Sequence, residues 1–353
     1  MAKTVYSPLK IFAFPDHSGD CAELRAPIHV RIKPINACNH RCWFCAYRSQ
    51  GLSLGEEMEL RDRIPYEKLI EIVDDLAAMG VKAVTFSGGG EPLLYPNLAG
   101  IVERLGERGI RVATLTNGTY LKGAVADALA RWGTWVRVSM DGWDGESYQR
   151  FRHCKPGEFE EITGNVAAFA ARRSSCSVGV SLIVSRENAA HVYGLCALVK
   201  ALGADHVKLS ACIVADGAGA NNAYHDEIRR EVECQVARAR ALENDRFRVV
   251  DRYHAFEESF EKPYKTCPML EYLTIIGADC KVYTCQDKAY ESAGLLGSIR
   301  DRSFADFWAS RENAERIAAI DPSILCRHHC VAHDKNVLLT QYRDLAAEHR
   351  DFV

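Results

Sequence analysis

From residue 28 onward, short apolar runs alternate with longer amphipathic stretches. The runs at 28–35, 81–87, 110–117, 135–141, 177–185 and 206–214 have the length and β-branched content of strands. Helical patterns lie between them. The clearest is 66–79, where Leu69, Ile70, Val73, Leu76 and Ala77 return at helical spacing. It begins after Pro65 and stops at Gly80, as helix boundaries do. Segments 97–108, 124–131, 158–172, 189–202 and 227–242 read the same way. Six such β/α units predict an α/β fold with a parallel sheet and right-handed crossovers. Six falls short of the eight of a closed barrel. The expectation is a partial (β/α)6 TIM-like barrel, with a doubly wound sheet as the competing arrangement. In both, ligands sit at the C-terminal ends of the strands.

Around residue 244 the rhythm breaks, and 245–265 is charged and irregular. Beyond it, 272–276 and 282–285 read as a hairpin, 304–317 as a helix and 337–348 as a closing helix. The expected organisation is an N-terminal extension (1–27), a barrel (28–243), a small C-terminal α+β domain (244–335) and a C-terminal helix (336–353).

Composition narrows the function classes. Of 353 residues, 48% are hydrophobic and 26% charged, enough for a full core. The net charge of −3 gives no bulk electrostatic case for nucleic acid or an anionic membrane. No signal peptide and no membrane-spanning run is present, so a cytoplasmic location is expected. Fourteen cysteines are the abnormal number, and in a cytosolic chain they point to metal or redox chemistry. Cys38, Cys42 and Cys45 form one group. Cys267, Cys280, Cys285, Cys326 and Cys330 crowd the last quarter. Cys21, Cys154, Cys176, Cys196, Cys212 and Cys234 are scattered, as small buried hydrophobes are.

The first group is a C-x3-C-x2-C run directly after the first strand. Three thiolates can wrap one metal centre: either zinc with His40 as fourth ligand, or a [4Fe–4S] cluster with one iron left open. Further motifs follow in order, each at a strand end. They are Ser87-Gly88-Gly89-Gly90-Glu91-Pro92, then Val138-Ser139-Met140-Asp141-Gly142, then Arg152 with Gly157 and Phe159. With Phe44 before the last cysteine, this series over residues 28 to about 215 resembles the radical S-adenosylmethionine (radical SAM) superfamily. The resemblance implies a SAM-binding [4Fe–4S] cluster on Cys38, Cys42 and Cys45, with adenine packing on Phe44. It implies that Gly88, Gly89, Gly90 and Glu91 receive the methionine ammonium, that Ser139 and Asp141 meet the ribose, and that Arg152 approaches the carboxylate. Asn117, ending the third strand, is a ligand or a turn residue. The implied chemistry is one-electron cleavage of SAM, giving a 5′-deoxyadenosyl radical that removes a hydrogen atom from the substrate. A flavodoxin- or ferredoxin-type donor would supply the electron.

The second group resembles the twitch domain, a shortened SPASM domain. In it Cys267, Cys285, Cys326 and Cys330 would hold an auxiliary [4Fe–4S] cluster, although the final spacing is C-x3-C where C-x2-C is seen in the aminocyclitol dehydrogenase type. A zinc knuckle is the plainer alternative. His328, His329 and His333 sit nearby and could be ligands, but exposed histidines are the safer reading. Cys280 stands at the hairpin turn and could be an alternative ligand or a free thiol.

Two fates of a substrate radical then compete. A dehydrogenase passes a second electron to the auxiliary cluster, and an epimerase returns hydrogen from a thiol. Along 206–214, Val207, Leu209, Ala211 and Ile213 should face the helices, leaving Lys208, Ser210 and Cys212 on the other face. Cys212 is therefore the first candidate donor and Cys280 the second, and epimerisation is the favoured reading. The resemblance implies a small-molecule or oligosaccharide substrate of sugar type. The 27 residues before the first strand are too few for the leader-binding domain of a peptide maturase, which is the runner-up. A non-catalytic iron–sulfur carrier is the reading from a different class.

Overall fold

The computed structural model describes residues 7–14, 24–49, 52, 54–253, 260–327 and 329–346. Cys21, His328 and the end of the expected closing helix (347–348) lie outside the described residues. Ten strands form a single sheet: β1 (His29–Ile32), β2 (Ala83–Phe86), β3 (Arg111–Thr116), β4 (Gly133–Ser139), β5 (Ser177–Val184), β6 (His206–Ala211), β7 (Arg248–Asp251), β8 (Leu273–Ile276), β9 (Lys281–Tyr283) and β10 (Leu295–Ser298). Their order is β10-β9-β8-β1-β2-β3-β4-β5-β6-β7, and β7 and β10 are its open edges. Strands β1 to β7 and β8 are parallel, while β9 and β10 return antiparallel. This is an unclosed, parallel-dominated barrel sheet with a C-terminal extension.

Alternation along the strands decides which face carries chemistry. Val30, Ile32, Val84, Phe86, Val136, Val138, Val178, Val180, Val207 and Leu209 join one apolar core. They meet α1 (Tyr66–Ala78) and α2 (Leu98–Glu107) through Leu69, Val73, Ile101 and Leu105. The alternate positions line the barrel interior. One row runs Arg137, Gly179, His206, Arg248 in register, and the next runs Ser139, Ser181, Lys208, Val250. Gly179 is required there, because a Cβ would lie 2.3 Å from the His206 ring. The lumen is thus polar by construction, as the pattern along 206–214 anticipates.

The remaining helices are α3 (Gly123–Trp132), α4 (Gly145–Arg152), α5 (Glu158–Ala171), α6 (Val192–Ala201), α7 (Ala218–Asp226), α8 (Arg229–Arg240), α9 (Phe304–Trp308), α10 (Arg311–Ala318), α11 (Pro322–Leu325) and α12 (His333–Asp344). Two of them, α4 and α7, carry too few periodic apolar residues to read as helices from sequence. Asp144 starts α4 with a reciprocal capping box to Ser147, so the cap belongs to Asp144 and leaves Asp141 for other work. The expected helix 304–317 is two helices. Ser310 ends one and caps the next, accepting from Asn313 N at 3.3 Å.

Two differences bear on domain organisation. The sheet does not stop at 244, since β7 pairs with β6 in parallel. The hairpin does not stand apart either, since β8 pairs with β1 in parallel. The C-terminal helices are tied to the barrel as well. Asp75 on α1 accepts from Phe304 N (2.7 Å) and Ala305 N (3.2 Å) at the start of α9, and Trp308 Nε1 donates to Arg25 O at 2.7 Å. Among the described residues no helix is long and apolar enough to cross a membrane.

Candidate active site

The loop after β1 carries Cys38, Cys42 and Cys45, all partly exposed. Its shape is set by backbone bonds to neighbouring strand ends. Gly90 N donates to Ile35 O (3.0 Å), Glu91 N to Ala37 O (2.9 Å) and Arg41 N to Arg152 O (2.9 Å). The glycine run is what permits this approach. A Cβ on Gly90 would meet Ala37 O at 2.0 Å, and Gly88 and Gly89 both have positive φ. The buried Glu91 carboxylate accepts from Leu93 N, Thr116 Oγ1 and Asn117 N, at 3.0, 2.5 and 2.6 Å. Asn117 makes its own turn, accepting from Thr119 N (3.0 Å), and donates to Asn39 Oδ1 on the cysteine loop (2.8 Å). Glu91 and Asn117 therefore act first as braces of the loop.

The three thiols are close enough for their charges to interact, and burial pushes Cys42 up to about 11 against the pull of Arg152. His40 is turned away from them. Its Nε2 meets Glu158 Oε2 at 2.6 Å, while Cys38 Sγ accepts from its backbone N at 3.4 Å. Phe44 packs edge-on against Trp43 and lies beneath the Arg152 guanidinium, 5.5 Å from its ring centre. Arg152 pairs with Asp141, whose Oδ1 also accepts from Ile183 N at 2.7 Å. Arg152 Nε is buried without a partner. Ser139 sits one register step below Asp141, opposite Ser181.

Cys212 continues the lumen face of β6 beyond its end and is 1% exposed. Burial pushes its thiol up to about 12, with the Asp141 and Glu187 charges adding to the rise. Its position is fixed by two backbone bonds. Cys212 N donates to Val184 O (2.9 Å), and His225 Nε2 donates to Cys212 O (2.7 Å) while His225 Nδ1 accepts from Tyr253 OH (2.9 Å). Cys280 is elsewhere. At φ +58 on the β8–β9 turn, it packs in the main apolar core and faces Arg300, Asp279, Lys68 and Asp62. The structure does not bring it to the groups around Asp141.

The late cysteines converge. Cys285 is pushed well up by burial, then by Asp287, Cys330, Cys326 and Cys267. His329 and His333 are half-buried rather than exposed, and His333 Nδ1 meets Tyr264 OH at 3.3 Å. A link invisible in the sequence joins the two cysteine groups. Buried Lys33 donates to Tyr47 OH (2.7 Å), and Tyr47 donates to Gln286 O (2.6 Å), one residue after Cys285. The charges of Cys45 and Cys285 both act on Lys33.

Comparison with known proteins agrees with this arrangement. Residues 32–199 match the family model described as the Radical SAM superfamily. The chain is 26% identical over 319 residues to an AdoMet-dependent heme synthase of Methanosarcina barkeri, spanning 83% of this chain and 84% of that protein. It is also 26% identical over 294 residues to the sporulation killing factor maturation protein SkfB of Bacillus subtilis, spanning 83% and 67%. Among solved structures, SuiB of Streptococcus suis bound to S-adenosylmethionine aligns with a TM-score of 0.63 at 15% identity, covering 86% of this chain and 73% of that one. The enzyme anSMEcpe with bound AdoMet aligns at 0.56 and 19%, covering 83% of each. At such identities the solved structures speak to the fold. Segment 32–199 matches a radical SAM domain, and the comparisons support radical SAM chemistry. That chemistry uses S-adenosylmethionine and a [4Fe–4S] cluster as cofactors.

The glycine contact is testable without substrate. Gly90→Ala forces a Cβ into Ala37 O and should cost about 2 kcal/mol in urea unfolding. Gly164→Ala, in α5 with nothing within 4 Å, should be neutral or slightly stabilising. Equal unfolding midpoints for the two variants would contradict the close-approach argument.

Proposed function

We propose that the protein takes a hydrogen atom from a carbinol carbon of a sugar-type substrate and returns one from the Cys212 thiol to the opposite face, an epimerisation. The observation that carries this is Cys212 itself: sealed at the top of the lumen, beside Asp141, with its proton held on by burial. A hydrogen-atom donor must keep its S–H, and a thiol pushed up to about 12 keeps it throughout the neutral range.

The residues fit the cofactors. Three neighbouring thiols leave one cluster position open, and four converging half-buried thiols have mutually repelling charges that a cationic iron–sulfur core would neutralise. Cys38, Cys42 and Cys45 would hold the first cluster, and Cys267, Cys285, Cys326 and Cys330 the auxiliary one. Phe44, Gly88, Gly89, Gly90, Glu91, Asn117, Ser139, Asp141 and Arg152 would surround SAM, with the buried Arg152 Nε a donor available to its carboxylate. When bound, SAM on a reduced cluster supplies the homolytic chemistry that takes hydrogen from an unactivated carbon. Cys212 then acts. The S–H bond breaks as the substrate C–H bond forms, leaving a sulfur-centred radical. One electron, from the flavodoxin- or ferredoxin-type donor, and one proton restore the thiol.

The relatives named above concern haem and peptide chemistry, and the carbohydrate class rests on the sequence reading. The lumen adds one property. Arg137 and Lys208 lie on adjacent rows, with Arg31 and Arg252 in electrostatic range of Lys208. Burial pushes Arg137 down to about 10; burial, then these like charges, push Lys208 down to about 8. Such crowding suits a substrate with a carboxylate or phosphate. A dehydrogenase is the second reading, favoured by the Lys33–Tyr47–Gln286 link between the cysteine groups, a short route for a second electron.

Turnover in deuterated water separates the two readings. The epimerase account expects one deuterium at the inverted carbon. It also expects Cys212→Ala to lose epimer formation by about a hundredfold or more while still releasing 5′-deoxyadenosine. A ketone product unchanged by Cys212→Ala would establish the dehydrogenase instead. The pH dependence of KM tests the anionic substituent. Lys208 is charged below about 8 and loses that charge above it, so KM should rise as pH passes upward through that value. Lys208→Arg should hold KM level over the same range; a wild-type KM flat to pH 9.5 would remove Lys208 from substrate binding.

A further inference from the structure

Asn336, on α12 and 1% exposed, has an amide whose orientation is dictated by its neighbours. Met269 N donates to Asn336 Oδ1 at 2.9 Å. A backbone N–H can only donate, so the oxygen must face it and the NH2 must face the other way. That side holds Cys267 Sγ at 3.4 Å and Tyr264 OH at 3.5 Å. The alternative contact, from a Cys267 S–H to Oδ1, is longer at 3.7 Å. The pocket is therefore built to donate to sulfur, and a thiolate is the form of cysteine that accepts best.

The helix bearing Asn336 is firmly seated. Leu339 packs with Ile11, Met269 and Tyr272 in a small separate core, and Arg343 pairs with Glu271 at 2.8 Å. The donor is thus held in place before any metal arrives. Hydrogen bonds to cluster sulfurs stabilise the more negative, reduced state.

We propose that Asn336 is a positioning residue of the auxiliary cluster: its amide donates an N–H···S hydrogen bond to Cys267, fixing that ligand and raising the cluster's reduction potential. This rests on the reading of Cys267 as a ligand.

The test uses reconstituted holoenzyme. With 15N-asparagine labelling, the reduced auxiliary cluster of the wild type should show a 15N coupling in pulsed electron paramagnetic resonance, absent from Asn336→Leu. In a redox titration followed by the same resonance, Asn336→Leu should titrate at a more negative potential than wild type. Asn336→Asp, which places an oxygen against the sulfur, should titrate lower still. No 15N coupling in the wild type, or an unshifted potential in Asn336→Leu with full iron content, overturns the proposal. If Asn336→Leu fails to assemble, the wild-type coupling decides alone. Cys267→Ala distinguishes failure of the underlying reading. Loss of about four iron atoms per chain upholds Cys267 as a ligand, and retention of all iron rejects both that assignment and the role of Asn336.

Discussion

The site depends on how closely the backbone at Gly88–Gly90 approaches Asn36 and Ala37. Two main-chain hydrogen bonds run from this glycine run and Glu91 into the segment leading to Cys38. No side chain fits at Gly90, so the contact amounts to peptide packed on peptide. It hangs a loop of three cysteines over the barrel and fixes where their sulfurs face. Glu91 extends the brace, because its buried carboxylate is bonded to the end of β3, and Asn117 there reaches back to Asn39. A polar network with every partner in place is rigid, and a rigid loop is what a cluster with an open iron requires.

The second cysteine group is built onto the same frame. Because β8 adds to β1 in parallel, the hairpin it opens continues the barrel sheet. Lys33, the lumen residue just beyond β1, occupies the seam between the two groups. One strand therefore serves both: its apolar side joins the core, and its polar side places Arg31 beside Cys285 and leads to Lys33 between two sets of sulfurs. The lumen's cationic lining stands on β4 and β6, and a buried thiol follows the end of β6.

Much of this was legible in the chain. The six central strands and most of their helices follow from alternation and helical spacing, because the outer face of each strand meets the same core. The cysteine spacings and the glycine run were equally visible. Long-range relations were hidden. Nothing local in Leu273–Ile276 says that its partner is β1, some 240 residues earlier, because parallel pairing leaves no turn to read. Charged ends masked β7, and polar composition masked α4 and α7. His225 and Asn336 act on a backbone carbonyl 13 residues and a sulfur 69 residues earlier, and neither has a motif. Cys280 looked equivalent to Cys212 by residue type; the fold separates them, since one ends a lumen-facing row and the other sits in the core behind the hairpin.

The central claim is that two sets of thiols assemble iron and sulfide, and that the first set does so with a position left for SAM. The most direct measurement is the iron and sulfide content of anaerobically reconstituted protein, read together with its Mössbauer spectrum and SAM cleavage under reductant. The account predicts about eight iron and eight sulfide per chain, with cubane spectra. It also predicts 5′-deoxyadenosine release, which is lost in Cys38→Ala. Bound zinc without sulfide, or intact SAM with both clusters assembled and reduced, would contradict it.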